Sequence, residues 1–244
     1  MKRSIVKMGT FVQVEIADSK AKKKDINQVF SYLDVIDERF STYKSYSEIQ
    51  KINRGELALE HASEEVRYML DLAQKTKKET HGYFDIYSNG LLDPSGIVKG
   101  YAIYKASQIL LNKGYKNFYV DIGGDIQLYG KNKHKKPWKV GVRNPFNTKE
   151  IVKILHLSNK GVATSGTYER GNHIYNPIEK SSASEIASIT VVGPNVYEAD
   201  RFATASFAMG YKALDFVEKL EGCEAYLITH HKKAYWTSGF LKYA

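Results

Sequence analysis

Between residues 12 and 40 the apolar side chains change period, and that change constrains the fold more than any other feature of the chain. Val12, Val14 and Ile16 alternate, the pattern of a half-buried strand, and one strand is expected over residues 3–16. Ile26, Val29, Phe30, Leu33, Ile36 and Phe40 then recur at helical spacing, behind Ser19 as a candidate cap. Ser47 precedes a short helical turn ending near Gly55, and Ser63 opens a helix with Met69, Leu70 and Ala73 on one face. Residues 82–99 read as an irregular, glycine-bearing stretch, followed by a helix that carries Ile103, Ala106, Ile109 and Leu110 and stops at Gly114. Strands are expected at 117–122, 126–129, 138–143, 151–157, 160–164 and 187–193. A helix at 196–209, a break at Gly210, a second helix to Leu220 and a hairpin of 225–229 with 233–237 complete the pattern. Strand runs in succession between helices indicate an α+β fold, with mixed or antiparallel sheets and packed helices, and not a doubly wound one. No repeat or linker interrupts the chain, so residues 1–244 are expected to form a single domain.

With 244 residues, 43% of them hydrophobic, the chain can bury a core without disulfide or metal staples. Its one cysteine, Cys223, excludes an intrachain disulfide and any cysteine-based zinc or iron–sulfur site. No run approaches the ~18 apolar residues of a membrane span. The first ten residues are basic, with neither an apolar signal run nor a lipobox cysteine. The expected location is therefore cytoplasmic for the chain as written, or exported if a leader has been removed. The net charge of +9 invites a nucleic-acid reading, but the lysines at 22–24, 131–136 and 232–233 are scattered. No RNA-binding aromatic motif or helix-turn-helix accompanies them, so a nucleic-acid partner is not expected. A solvated basic surface suits them, as would an anionic nucleotide substrate or an anionic membrane face.

Four constellations can carry chemistry. Asp200 and Thr204 stand at i and i+4 of the 196–209 helix, so a carboxylate and a hydroxyl share one face and can offer hard oxygens to Mg²⁺. Taken alone, a capping or solvent-facing Asp with a helix-packing Thr is the simpler reading of the pair. Gly96-Ile-Val-Lys99-Gly100 sits at a loop-to-helix junction where free N–H groups and Lys99 favour anions, although an ordinary glycine turn fits too and the P-loop spacing is absent. Asp121-Ile-Gly123-Gly124-Asp125 is a tight bend between strands whose glycines let backbone approach a ligand. Ala163-Thr164-Ser165-Gly166 reads as a small-residue turn offering hydroxyls, with His173 downstream as a candidate base or a structural histidine. Ser165 with His173 lacks the elbow motif of a serine hydrolase.

Taken in order, Met8-Gly-Thr, Phe40-Ser-Thr-Tyr43, Ser47-Glu-Ile with Asn53, Gly82-Tyr-Phe-Asp85, Gly96-x-x-Lys99-Gly-Tyr, Asp121-x-Gly-Gly-Asp125, Ala163-Thr-Ser-Gly166, His173-Ile-x-x-Pro177 and Ala199-Asp-x-x-Ala-Thr204 resemble the ApbE family, the FAD:protein FMN transferases once called thiamine-biosynthesis lipoproteins. The resemblance runs from residue 8 to about 210. It implies an ApbE-like, T-fold-type domain that splits FAD with Mg²⁺, releases AMP and places FMN on a Thr or Ser hydroxyl of an acceptor flavoprotein, such as a membrane redox subunit. It also implies roles. Asp200, Thr204 and the Gly96 carbonyl would hold Mg²⁺. Met8, Tyr43, Gly96, Lys99, Gly123, Gly124, Asp125, Thr164, Ser165, Gly166 and His173 would contact FAD, with Tyr43 against the isoalloxazine. His173, with Lys99 nearby, would serve catalysis. A metal-dependent FAD pyrophosphatase and a non-catalytic FAD-binding protein are the alternatives. The chain departs from the family pattern at Tyr104 and Asn176, where Asp is usual, and the glycine that usually follows the second is missing from Ile178-Glu-Lys-Ser. Loss of those carboxylates would alter adenine or ribose contacts, or the basicity of His173.

Overall fold

In the computed structural model, which describes residues 1–88, 90–167, 175–183 and 185–244 (the side chains of Ser88 and Ser182 aside), the change of period becomes a hairpin followed by a helix. β1 (Lys2–Lys7) and β2 (Thr10–Ile16) pair antiparallel, so the single strand expected over 3–16 is two. Met8 and Gly9 between them both take positive φ, 52° and 69°, a local geometry that the apolar alternation does not report. α1 (Lys23–Phe40) buries Ile26, Val29, Phe30, Leu33, Ile36 and Phe40. Its N-cap is Lys22, with no side-chain cap bond, and not Ser19. α2 (Glu48–Asn53) and α3 (Glu64–Glu79) start where expected, because Ser47 and Ser63 accept from the N–H groups of Gln50 and Val66.

The stretch read as irregular contains a short hairpin, β3 (Tyr87–Ser88) with β4 (Leu91–Leu92), and the first turns of α4 (Ser95–Asn112). β5 (Phe118–Ile122), β6 (Asp125–Tyr129), β7 (Trp138–Asn144), β8 (Asn147–Leu157) and β9 (Lys160–Gly166) follow. A small hairpin, β10 (Tyr175–Asn176) with β11 (Ser181–Ser182), precedes β12 (Ile186–Gly193) and α5 (Val196–Met209). The second helix expected to reach Leu220 is a 3₁₀ turn at Gly210–Lys212 and the short α6 (Ala213–Val217). β13 (Glu224–Thr229) and β14 (Ala234–Trp236) form the terminal hairpin.

One eight-stranded antiparallel sheet, ordered β1-β2-β5-β6-β9-β12-β13-β14, organises the chain. Strand alternation gives it two apolar faces. Val120, Ile122, Ala163, Ile189 and Val191 meet α1, α4 and α5 in the larger core. Leu128, Val162, Val192 and Tyr226 meet Val140, Val142, Leu155 and Leu157 of the β7–β8 hairpin in a second core on the opposite face. The result is helices, sheet and hairpin in three layers, the α+β arrangement expected. Among the described residues no helix is long and apolar enough to cross a membrane.

Candidate functional site

α4 and α5 approach closely because Gly100 carries no side chain. A Cβ there would stand 2.5 Å from the Asp200 Cβ and 2.9 Å from the Val196 carbonyl oxygen. The gap lets the Gly100 N–H donate to Asp200 Oδ2 at 2.6 Å. One turn along α5, Thr204 Oγ1 donates to the Gly96 carbonyl oxygen at 3.2 Å. Phe84, from the Gly82-Tyr-Phe-Asp85 motif, packs beneath: its ring lies 3.2 Å from where a Gly96 Cβ would be. Two helices about 100 residues apart in sequence thus bring a carboxylate, a hydroxyl and a carbonyl oxygen to one junction.

The sheet contributes the next layer. Ile122 pairs with Asp125, leaving Gly123 and Gly124 as a two-residue turn with φ of 61° and 94°, where glycine is strongly favoured. The turn sets Asp125, 1% exposed, at the sheet end facing the helices. Lys99 Nζ lies 2.7 Å from Asp125 Oδ2, and the Thr164 N–H donates to Asp125 Oδ1 at 3.1 Å. Burial pushes the Asp200 carboxyl well above the usual carboxylate range, the neighbouring Asp125 carboxylate adds to this, and Lys99 and the Gly100 N–H oppose it. Two buried carboxylates share one lysine here. That excess negative charge, beside the Thr204 hydroxyl and the Gly96 carbonyl, fits a hard dication such as Mg²⁺. Among the described residues no three His, Cys, Asp or Glu side chains converge, so a metal at this junction would draw on hydroxyl and backbone oxygens besides Asp200.

The other expected residues are distributed unevenly. Met8 sits in the β1–β2 turn, whose neighbour Thr10 packs on Gly123; the Gly123 N–H donates to the Phe11 carbonyl at 2.9 Å. Gly96 and Lys99 lie in the opening turns of α4, at the loop-to-helix junction expected. Ala163–Gly166 is no turn: all four residues belong to β9 and pair with Ser188–Val191. Thr164 and Ser165 therefore face opposite sides of the sheet. Thr164 Oγ1 bonds the Thr190 hydroxyl at 2.8 Å, while Ser165 lies on the helix side with Ala163. Tyr43 is 95% exposed in the loop between α1 and α2 and is not packed on the Asp200 cluster. His173 falls outside the described residues.

Sequence reasoning missed one wall of the site. Lys139, Val140, Gly141 and Arg143 of β7 and Ile151 of β8 face Asp121, Gly123, Gly124, Asp125, Ile126 and Thr164 across a cleft of about 240 Å³. The alternation that buries Trp138, Val140 and Val142 marks residues 139, 141 and 143 as outward, but it does not say what they look across to. Asp121, in the cleft, accepts from the Gly124 N–H at 2.9 Å. Burial still holds its carboxyl up, to about 6.

The sequence profile of the ApbE family matches residues 8–93 and 88–227. The FAD:protein FMN transferase of Haemophilus influenzae is 34% identical over 140 residues, covering 52% of this chain and 40% of that protein. That of Escherichia coli K12 is 26% identical over 156 residues, covering 60% and 44%. The chain thus spans less than half the length of these two relatives. The FAD:protein FMN transferase of Chlamydia muridarum is 25% identical over 273 residues, covering 86% and 83%. Among solved structures, the flavin transferase ApbE from Vibrio cholerae superimposes with a TM-score of 0.85 at 21% identity, covering 100% of this chain and 99% of that one. The ApbE protein from Thermotoga maritima gives 0.87 at 22%, covering 100% and 98%. These two likenesses establish the fold.

Proposed function

This chain belongs to the ApbE family, and from that premise we propose that it moves FMN from FAD to a Thr or Ser hydroxyl of an acceptor flavoprotein, with Mg²⁺, releasing AMP. The observation that carries the reading is the junction of α4 and α5. Asp200, Thr204 and the Gly96 carbonyl meet beside the Lys99–Asp125 pair, where a pyrophosphate and its metal need hard oxygens and a balancing cation. Bound Mg²⁺ supplies charge compensation at the pyrophosphate oxygens.

The residues of the chain have separate tasks. The acceptor oxygen attacks the phosphorus of the FMN half, and the bond from that phosphorus to the bridging oxygen breaks. AMP leaves with that oxygen, and the hydroxyl proton passes to a base, for which His173 is the candidate. Lys99, held by Asp125, directs positive charge at the anionic substrate. The Gly123–Gly124 turn admits backbone contact with the ligand, and Thr164 presents its hydroxyl beside it. Tyr43, open to solvent, is free to stack on the isoalloxazine.

The test incubates the protein with FAD and Mg²⁺, with and without an apo acceptor flavoprotein, and follows AMP, free FMN and acceptor mass. The expected result is an acceptor heavier by one FMN, with equimolar AMP. AMP matched by free FMN, equally fast without acceptor, would identify a pyrophosphatase. FAD binding without AMP would identify a flavin carrier.

A further inference from the structure

Among the described residues β7 has a single strand partner. It pairs with β8, and among the described residues no strand bonds its other edge. Lys139, Val140 and Gly141 are consecutive yet all line the cleft, so β7 turns its edge, not one face, toward the Gly123–Gly124 turn. Ile151 of β8 covers the face of β7 at Gly141: its side chain would stand 2.8 Å from a Cβ on this glycine. Lys139 and Arg143 flank it, four residues and about 13 Å apart in an extended strand. Among the described residues neither cation has a carboxylate within 4.0 Å. Of the two acids in the cleft, Asp125 is taken by Lys99, and Asp121 is bonded to the Gly124 N–H.

The cleft reaches the Lys99–Asp125 pair at Thr164, and its β7–β8 wall belongs to the layer on the other side of the sheet from α4 and α5. At about 240 Å³ it is smaller than the roughly 300–1,000 Å³ usual for small-molecule sites, and so too small for a whole dinucleotide. It matches a few residues of extended chain. We propose that this cleft receives the acceptor polypeptide. An extended segment adds along the free edge of β7, an acidic side chain of the segment meets Arg143 and Lys139, and its hydroxyl residue is delivered at the Asp125–Thr164 end. Main-chain bonding at a strand edge supplies affinity and the flanking cations supply selectivity. The assignment rests on the transferase reading, and it brings the nucleophile in along β7 to the Gly123–Gly124 turn and Thr164, which that reading also sets against FAD.

The test uses a fluorescein-labelled synthetic peptide of about a dozen Gly, Ala and Ser residues around one Thr, with an Asp three positions away, and a twin with Lys in place of Asp. Binding to the whole protein in FAD and Mg²⁺ is read by anisotropy. The parent is expected to prefer the Asp peptide. The Lys139→Glu/Arg143→Glu variant should bind it at least tenfold more weakly and prefer the Lys twin, with FAD affinity by flavin quenching held within twofold. No binding of the Asp peptide by the parent, equal binding by parent and variant, or an equal loss of FAD affinity each overturns the assignment, the last by giving the cleft to FAD. Peptide mass is followed separately: charge-dependent binding with no FMN gained counts against the transferase and not against the cleft.

Discussion

Asp200→Asn separates what a metal would contribute from what the fold contributes. Asn keeps the shape of the side chain and can still accept the 2.6 Å bond from the Gly100 N–H, so α4 and α5 stay in register. It removes the charge that burial and Asp125 oppose, which makes the metal-free variant at least as stable as the parent. It also removes the α5 carboxylate beside the Thr204–Gly96 junction. A ligand at a hundred times its Kd stabilises by about 2.7 kcal/mol. With unfolding entropy near 2.1 cal/mol/K per residue, 244 residues give roughly 0.5 kcal/mol/K, so saturating Mg²⁺ should raise the parent Tm by about 5 °C. In Asp200→Asn the rise should fall below about 1 °C, because a neutral amide is a poor Mg²⁺ ligand. Differential scanning calorimetry across a Mg²⁺ titration, with Ca²⁺ and high Na⁺ as ionic controls, reads both quantities. A full Mg²⁺ shift in the variant, or none in the parent, refutes the assignment of Asp200 as ligand.

Gly100→Ala places a methyl against Asp200 Cβ and the Val196 carbonyl, so urea denaturation should show a loss of about 1–3 kcal/mol or more, with Mg²⁺ response falling alongside. Asp121 has a folded value near 6 against an ordinary 3.8, so the folded state holds its proton longer and stability falls as pH rises from about 4 to 6. Asp121→Asn should flatten that part of the profile and stabilise the protein at pH 7 by up to about 3 kcal/mol, checked by urea midpoints between pH 4 and 8. Tyr43→Ala should leave the Tm unchanged, since the ring is exposed, yet weaken FAD binding by about 1–3 kcal/mol as judged by flavin quenching; equal affinity would exclude Tyr43 from the flavin site. Asn176→Asp should cost about 1–3 kcal/mol at pH 7, because it replaces a donor to the Ala208 carbonyl by an acceptor; an unchanged urea midpoint would refute that account.

Where local pattern and burial agree, the fold is legible in the residues. The helical stripe from Ile26 to Phe40, the Ser47 and Ser63 caps and the apolar run of β12 all became the elements they imply. The misreadings share a cause, which is close packing that demands small residues. Gly96 and Gly100 weaken local helix propensity, so α4 looks as if it starts late, yet the approach of Asp200 requires glycine at 100 and that of Thr204 and Phe84 leaves little room at 96. The small residues Ala163–Gly166 look like a turn, yet they extend β9, which lies so close to the start of α5 that a Cβ on Gly161 would fall 1.9 Å from the Val196 nitrogen. The Asp200–Thr204 pair is visible as i and i+4 on one helix. The β7 wall is not, because apolar packing against the far face of the sheet, and no strand pairing with it, brings the 138–157 hairpin over the 121–125 turn.

The two departures from the family pattern look like lost carboxylates until their partners are known. Asn176 is buried, and its amide works on backbone alone: Nδ2 donates to the Ala208 carbonyl at 2.9 Å, and Oδ1 accepts from the N–H groups of Ile178 and Glu179 at 3.0 and 3.1 Å. A carboxylate could take the two N–H bonds but would meet Ala208 with a second acceptor. The end of α5 therefore selects the amide, and Asn176 ties the β10–β11 hairpin to the helix that carries Asp200. Tyr104, likewise, contributes a partly buried apolar body to the larger core along α4. Both residues act on the placement of the two helices whose junction forms the site.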